Sequence, residues 1–183
     1  MNTDDVLAKA KEQGNGKLMT LVKDNTIFYL VLLKQDNTYD FEFAKQMNEC
    51  LDEVEKSEGP AVLVCIGAGD KIFTTGFNLP TWEKEGFIYQ WQAIMMMHKL
   101  FDRVLTLPVP TMAVQNGMTI AGGLLFSLVF DFRTMKEDPR NFVCLTEINI
   151  GISLSPGFAA IVKNSLDPQT SKVLVYGGRF NAQ

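Results

Sequence analysis

Apolar residues run twice near the start of the chain, Leu18 to Val22 and Thr26 to Leu33, on either side of the turn residues Lys23-Asp24-Asn25. That arrangement predicts an antiparallel β-hairpin. From Asp40 the spacing changes: Phe43, Met47, Leu51 and Val54 recur at helical intervals, with Asp52, Glu53 and Glu55 on the polar side, until Gly59-Pro60 stops the helix. Ala61 to Ile66 is an unbroken apolar run, the mark of a strand covered on both faces of its sheet. A glycine-containing loop, 67–79, leads to a helix from about Tyr89 to Leu105, which ends before Leu107-Pro108-Val109-Pro110. There follow a strand at Thr111 to Gln115, a glycine loop, a buried helix to about Val129 and a strand at Asp131 to Met135. The late elements are a strand near Phe142 to Leu145 and helices at about Gly157 to Ser165 and Pro168 to Tyr176. No repeat, low-complexity tract or linker interrupts this order. Strands and helices joined by short connections predict one layered α/β domain in which βα units predominate. Residues 18–183 form its core and residues 1–17 an N-terminal extension.

Composition narrows the function without naming it. A chain of 183 residues is long enough for one core, and a domain of that size buries roughly 70% of its unfolded surface. The hydrophobic share of 46% and charged share of 21% are ordinary for a globular protein. No apolar stretch reaches the ~20 residues that cross a bilayer, so no membrane span is expected. A formal net charge of -4 leaves no basic stripe for a phosphate backbone, which argues against nucleic acid as a partner. Cys50, Cys65 and Cys144 are odd in number and lack metal-ligand spacing; they predict small hydrophobes in a reducing compartment. Glu137-Asp138, before Pro139 and without a histidine partner, reads as a solvated loop pair, and no metal is expected. Neither Met1-Asn2-Thr3-Asp4-Asp5 nor Phe180-Asn181-Ala182-Gln183 carries a targeting signal, which leaves the compartment open.

Two glycine loops hold the candidate chemistry. The first is Phe73-Thr74-Thr75-Gly76-Phe77-Asn78-Leu79, after the strand at 61–66; the second is Ala121-Gly122-Gly123, at the mouth of the apolar helix. A helix interior prefers alanine to glycine by about 1 kcal/mol, so a glycine pair there needs a reason. Taken singly, a glycine pair more often marks nothing but a tight turn. In a parallel sheet, however, ligands sit beyond the carboxyl ends of the strands, where helix N-termini offer free N–H groups. Two such loops, each after a buried strand, predict two amides converging on an anion, the second reinforced by a macrodipole of roughly half a charge.

The segments IFTTGFNL, PVPTMAVQNGMTIAGGLLFSLVFDFRTM and LTEINIGISLSPGF, in this order and spacing, resemble the crotonase superfamily, and within it the peroxisomal-type Δ3,Δ2-enoyl-CoA isomerases. The likeness runs from about Leu18 to Ala182. It implies a crotonase-like spiral of ββα turns and an acyl-CoA thioester as substrate, with coenzyme A arriving as part of the substrate and no separate cofactor. By motif match the thioester oxygen is held by the amides of Phe77, which follows Thr75-Gly76, and of Gly122, which precedes Gly123. Thr75, Gly76, Gly123 and Leu125 then belong to the substrate site. Glu147 occupies the position of the family's catalytic glutamate. Its own surroundings agree, since partial burial among Leu145, Ile148 and Ile150 raises a carboxyl toward the range of a proton shuttle.

One departure from the family bears on the reaction. Hydratases of the superfamily carry a second glutamate where this chain has Leu125, so the resemblance implies a single-base shift of a double bond rather than addition of water. The family also continues past residue 183 into helices that cover the acyl pocket and help build a trimer. With those C-terminal helices absent, apolar surface near Phe158, Ile161, Val162, Val173 and Leu174 is expected to pack against other protein, as a homo-oligomer or as a subunit of a larger complex. A noncatalytic crotonase-like subunit is the alternative reading. His98, the sole histidine, lies beside Met95, Met96 and Met97 in a helix and reads as a packing residue; Ser127, Ser153 and Ser155 stand in no Ser-His-Asp order.

Overall fold

The structure is a computed structural model in which residues 1–182 are described. Its first element is helix α1 (Thr3–Gln13), capped by the Asn2 side chain, which accepts from the Asp5 amide at 2.9 Å. The hairpin follows as β1 (Met19–Asp24) and β2 (Ile27–Leu32), antiparallel, with Asp24 opposite Ile27 and Asn25 at φ 53 in the turn. Phe28, Leu30 and Leu32 point into the main core, whereas Val31 faces the other way, against Val6 and Ala10 of α1. The N-terminal helix thus covers the outer face of the sheet with a small core of its own.

The remaining chain winds as repeated strand–strand–helix turns. Helix α2 (Phe41–Glu55) starts on the Asp40 carboxylate, which accepts from the Phe43 amide at 2.8 Å. Then come β3 (Val62–Gly67), β4 (Ile72–Thr74) and α3 (Leu79–Leu105); β5 (Thr111–Gln115), β6 (Met118–Ile120) and α4 (Gly122–Leu128); β7 (Phe132–Met135), β8 (Val143–Cys144), a 3-10 turn at Glu147–Ile150 and α5 (Pro156–Ser165). Helix α6 (Pro168–Val175) and β9 (Arg179–Phe180) close the described chain. Each turn sends its first strand to a five-stranded sheet, ordered β1-β2-β3-β5-β7, and its second to a four-stranded sheet, ordered β4-β6-β8-β9. All pairings are parallel except β1 with β2 and β8 with β9.

Several expectations need correction. The loop 67–79 and the second glycine loop each contain a strand, β4 and β6, of three residues; a run that short shows no alternation to read. Helix α3 begins at Leu79, not Tyr89. Asn78 caps it through the Thr81 amide (3.2 Å), and Gly86, at φ 77, interrupts the pattern between its two parts. Phe158, Val162 and Leu174 do not face outward; they are 4%, 2% and 2% exposed in the main core. The apolar residues that do meet solvent nearby are Ile148, Ile150, Val173, Val175 and Tyr176. Of the three methionines beside His98, Met97 is fully buried and Met95 exposed.

The core is dense in aromatic rings, and Phe126 of α4 is its hub. Its ring centroid lies 5.9 Å from Tyr39, 6.3 Å from Phe43, 6.4 Å from Phe73, 5.9 Å from Phe101 and 5.0 Å from Phe130. Burying a phenylalanine side chain stabilises a fold by about 1.5–3 kcal/mol, and a packed ring pair adds about 0.5–1.5 kcal/mol. This anchorage fixes α4, whose first residue is Gly122. Among the described residues no helix is long and apolar enough to cross a membrane.

Candidate active site

The two glycine loops meet backbone against backbone. Gly76 has φ +82, and a Cβ there would lie 2.7 Å from the Gly122 nitrogen and 2.8 Å from its Cα. A Cβ on Gly123 would lie 2.3 Å from the Thr74 carbonyl oxygen. Both glycines are needed for the close approach, which answers why an apolar helix opens on a glycine pair. Gly76 and Gly123 shape the loops from behind and are not part of the cavity wall.

Tyr39 ties this junction together. Its amide donates to the Gly76 carbonyl (2.8 Å), its carbonyl accepts from the Asn78 amide (3.3 Å), and its hydroxyl donates to the Gly122 carbonyl at 3.4 Å. The parallel bridge between Tyr39 and Phe77 uses the Gly76 carbonyl and the Asn78 N–H, so the Phe77 N–H stays outside that ladder. Gly122, as the first residue of α4, has an N–H with no intrahelical acceptor. Since α4 has only seven residues, the N–H itself matters more than a macrodipole. Ala121, between β6 and α4, is held at φ 53 while its amide donates to the Cys144 carbonyl at 2.9 Å. A non-glycine residue in that region stores about 1–3 kcal/mol, and such strain concentrates at functional sites. Tyr39 is marked by no pattern in the sequence, and Ala121 only as the residue before the glycine pair.

Thr75, Phe77, Gly122, Leu125 and Glu147 all line one cavity of about 430 Å³, whose wall also includes Trp82, Ile94, Ile152 and Phe158. Glu147 opens the 3-10 turn, which ends on Gly151 at φ 70. Its Oε2 is buried without a hydrogen-bond partner. Burial raises its pKa above the usual carboxyl value, against a smaller opposing effect from the backbone amides of Glu147 and Thr146. Leu125 is 1% exposed and brings no charge. The other acid on the wall, Asp36, sits at the solvent-exposed rim, where its carbonyl accepts from the Thr75 amide at 3.1 Å. Phe77, Gly122 and the half-buried Glu147 are thus brought to the wall of one cavity.

His98 and Ser155 are not merely packing residues, since Nε2 and Oγ lie 2.7 Å apart and Ser155 lines the cavity. Ser127, by contrast, is tied to Gln115 at 2.8 Å and to the Leu124 carbonyl at 2.8 Å. Asp138 is held by Arg140 and Lys136, and the Arg140 contacts push its pKa down. Cys50, Cys65 and Cys144 are free thiols, with burial pushing Cys50 up to about 12.

The family model described as enoyl-CoA hydratase/isomerase matches residues 23–183. The chain belongs to the enoyl-CoA hydratase/isomerase family. It is similar to enoyl-CoA delta isomerase 3 of Arabidopsis thaliana, with 30% identity over 154 residues, covering 79% of this chain and 62% of that protein. A putative enoyl-CoA hydratase of Thermus thermophilus is 30% identical over 142 residues, covering 76% of this chain and 54% of that one. The fold is similar to the crystal structure of enoyl-CoA hydratase from Bacillus anthracis, with a TM-score of 0.82 at 24% identity, over 91% of this chain and 66% of that structure. The ββα spiral is therefore the crotonase fold, and this family member lies near the enoyl-CoA isomerases. The chain spans 62% and 54% of the length of the two relatives named first.

Proposed function

We propose that this chain shifts the double bond of a 3-enoyl-CoA to give the 2-trans-enoyl-CoA, with Glu147 as the only proton shuttle. The thioester oxygen accepts from the Phe77 and Gly122 amides. Glu147 removes a proton from C2, the electron pair spreads over a dienolate, and the same carboxyl returns a proton to C4. The bond between C2 and C3 becomes double as that between C3 and C4 becomes single. A proton beside a thioester is too weakly acidic for a carboxylate unless the enolate oxygen is stabilised, and one positioned donor contributes about 3–4 kcal/mol to that task. Such a reaction serves fatty-acid breakdown, in which unsaturated chains must be brought into conjugation with the thioester.

The observation that carries this reading is a single buried, unpaired carboxyl oxygen, Glu147 Oε2, in a cavity where Leu125 fills the place of a second carboxylate. Adding water across a double bond calls for a group to place and deprotonate the water as well as one to protonate carbon, whereas a proton shift needs one base. The test is incubation of the purified protein with a 3-enoyl-CoA, following the ultraviolet absorbance of the conjugated product. No product from a folded protein would overturn the reading. It would favour instead a noncatalytic subunit, for which the exposed Ile148, Ile150, Val175 and Tyr176 would form the contact surface.

A further inference from the structure

Ser155 and His98 are reactive side chains that the isomerase reading leaves unused. Ser155 lines the cavity of about 430 Å³ that also has Phe77 and Gly122 on its wall. His98, on α3, is half-buried and lines a separate outer depression of about 330 Å³, shared with Asp102, Gly157 and Asn164. The two side chains, 57 positions apart in sequence, meet between these spaces, with Ser155 Oγ 2.7 Å from His98 Nε2. Phe158 links the pair to the glycine loops, since its ring centroid lies 4.4 Å from His98 and 6.1 Å from Phe77.

The surroundings suit a nucleophile and its base. A serine hydroxyl is a weak nucleophile unless a base stands within about 2.6–3.2 Å of it, and here one does. Ser155 caps α5 by accepting from the Phe158 amide at 3.4 Å; that uses a lone pair and leaves the hydroxyl proton for His98. Burial lowers the His98 pKa, so the imidazole is neutral at neutral pH and Nε2 accepts when the ring proton is on Nδ1. Gly157 lets the ring lie close, since a Cβ there would be 3.1 Å from Nε2. Asp102 stands one helical turn beyond His98 and lines the same depression, which puts a carboxylate on the same helix face as the imidazolium that forms on proton transfer. The positive end of α5, ten residues long, favours negative charge developing at Ser155. Histidine, aspartate and serine thus share one corner of the fold, although no local motif announces them.

We propose that Ser155 and His98 form a nucleophilic dyad that hydrolyses an apolar acyl ester or thioester bound in this cavity, an activity separate from the double-bond shift. His98 Nε2 takes the hydroxyl proton as Oγ bonds to the carbonyl carbon. The tetrahedral adduct collapses, its C–O or C–S bond to the leaving group breaks, and that group departs with the proton from Nε2, which leaves acyl-Ser155. Water then attacks the acyl carbon and gives a proton to Nε2; the acid departs as its bond to Oγ breaks, and Oγ regains the proton. One water is consumed, one acid and one alcohol or thiol are released, and nothing is oxidised or reduced. The reaction needs no double bond, so it stands or falls apart from the isomerase reading.

The probes are p-nitrophenyl butyrate, butyryl-CoA and a fluorophosphonate, used with the purified full chain. Wild type should release nitrophenolate, and the fluorophosphonate should add once, on Ser155 in the peptide map, and stop that release. Ser155→Asn keeps a helix cap of equal quality, and His98→Gln keeps a polar side chain that is no base. In each folded variant release should fall by about 10²-fold or more, because a positioned general base contributes about 10²–10⁴, and Ser155→Asn should take no label. Should either variant fail to fold, the position of the label in wild type decides the question. Thiol release from butyryl-CoA as well would place thioesters among the substrates of the dyad; nitrophenolate release alone would restrict it to oxygen esters. Label on a different residue, release unchanged in either folded variant, or neither release nor label in wild type overturns the dyad.

Discussion

Gly76→Ala should damage catalysis through backbone geometry alone. At φ +82 an L-residue costs about 1–2 kcal/mol. The added Cβ would sit 2.7 Å from the Gly122 nitrogen, where ordinary contact begins at 3.4 Å, so the loops must part by about 0.7 Å (3.4 minus 2.7). The three nearest atoms all belong to the backbone of Gly122 and Gly123, and no flexible side-chain end can give way instead. A donor to a developing oxyanion works at about 2.7–3.1 Å, and removing one lowers kcat by about 10²–10³. The displaced Gly122 N–H should therefore cost kcat by about that factor, with a smaller change in KM. Gly59→Ala is the control: its φ is +84, but nothing lies within 4 Å of the new methyl. It should lose stability without losing turnover. Absorbance kinetics with 3-enoyl-CoA, beside thermal unfolding of both variants, makes the comparison. A folded Gly76→Ala with wild-type kcat would refute the placement of the Gly122 amide at the reacting oxygen.

Glu147→Gln should abolish most turnover while leaving acyl-CoA binding nearly intact, and isomerisation at the wild-type rate would rule out Glu147 as the base. The same variant tests burial. With the folded-state pKa raised above the usual 4.5, the native state binds the proton more tightly, so this group's stability is complete below 4.5 and is lost as pH rises through the raised value. Glu147→Gln should then melt above wild type at neutral pH, with the gap closing toward pH 4.5; an opposite sign contradicts the argument. Hydration of a 2-enoyl-CoA should stay at background, because Leu125 supplies no carboxylate, and efficient formation of a 3-hydroxyacyl-CoA would reveal another group that activates water. Tyr39→Phe should cost about 1 kcal/mol for the lost hydroxyl contact to Gly122 and lower kcat more than it raises KM; unchanged kinetics would show that the backbone bonds of Tyr39 suffice. The exposed Ile148, Ile150, Val175 and Tyr176 should make the isolated chain self-associate or bind apolar dye, and a stable monomer in sedimentation that binds no dye would contradict this.

The sequence by itself determined the long elements and the ingredients of the site. Helix α2 carries enough residues for a period of 3.6 to show, and the hairpin β1–β2 and strands β3 and β5 stand out as apolar runs bounded by turn residues. The glycines of both loops stood out along the chain, because close backbone approach restricts residue type, whereas Glu147 and Leu125 were singled out by the family resemblance. Tertiary structure alone decided the rest. Strands β4, β6 and β9 have three, three and two residues; they are strands only because neighbours in the second sheet pair with them. Phe158, Val162 and Leu174 look the same in sequence whether a partner or the chain's own core covers them, and packing placed them inside. Tyr39 reaches Gly122 across 83 positions and His98 reaches Ser155 across 57. Local patterning cannot encode such contacts, since nothing within a turn or a strand of either residue changes when its distant partner does. The winding of the spiral joins them, and the burial that follows raises the Glu147 pKa above the usual carboxyl value.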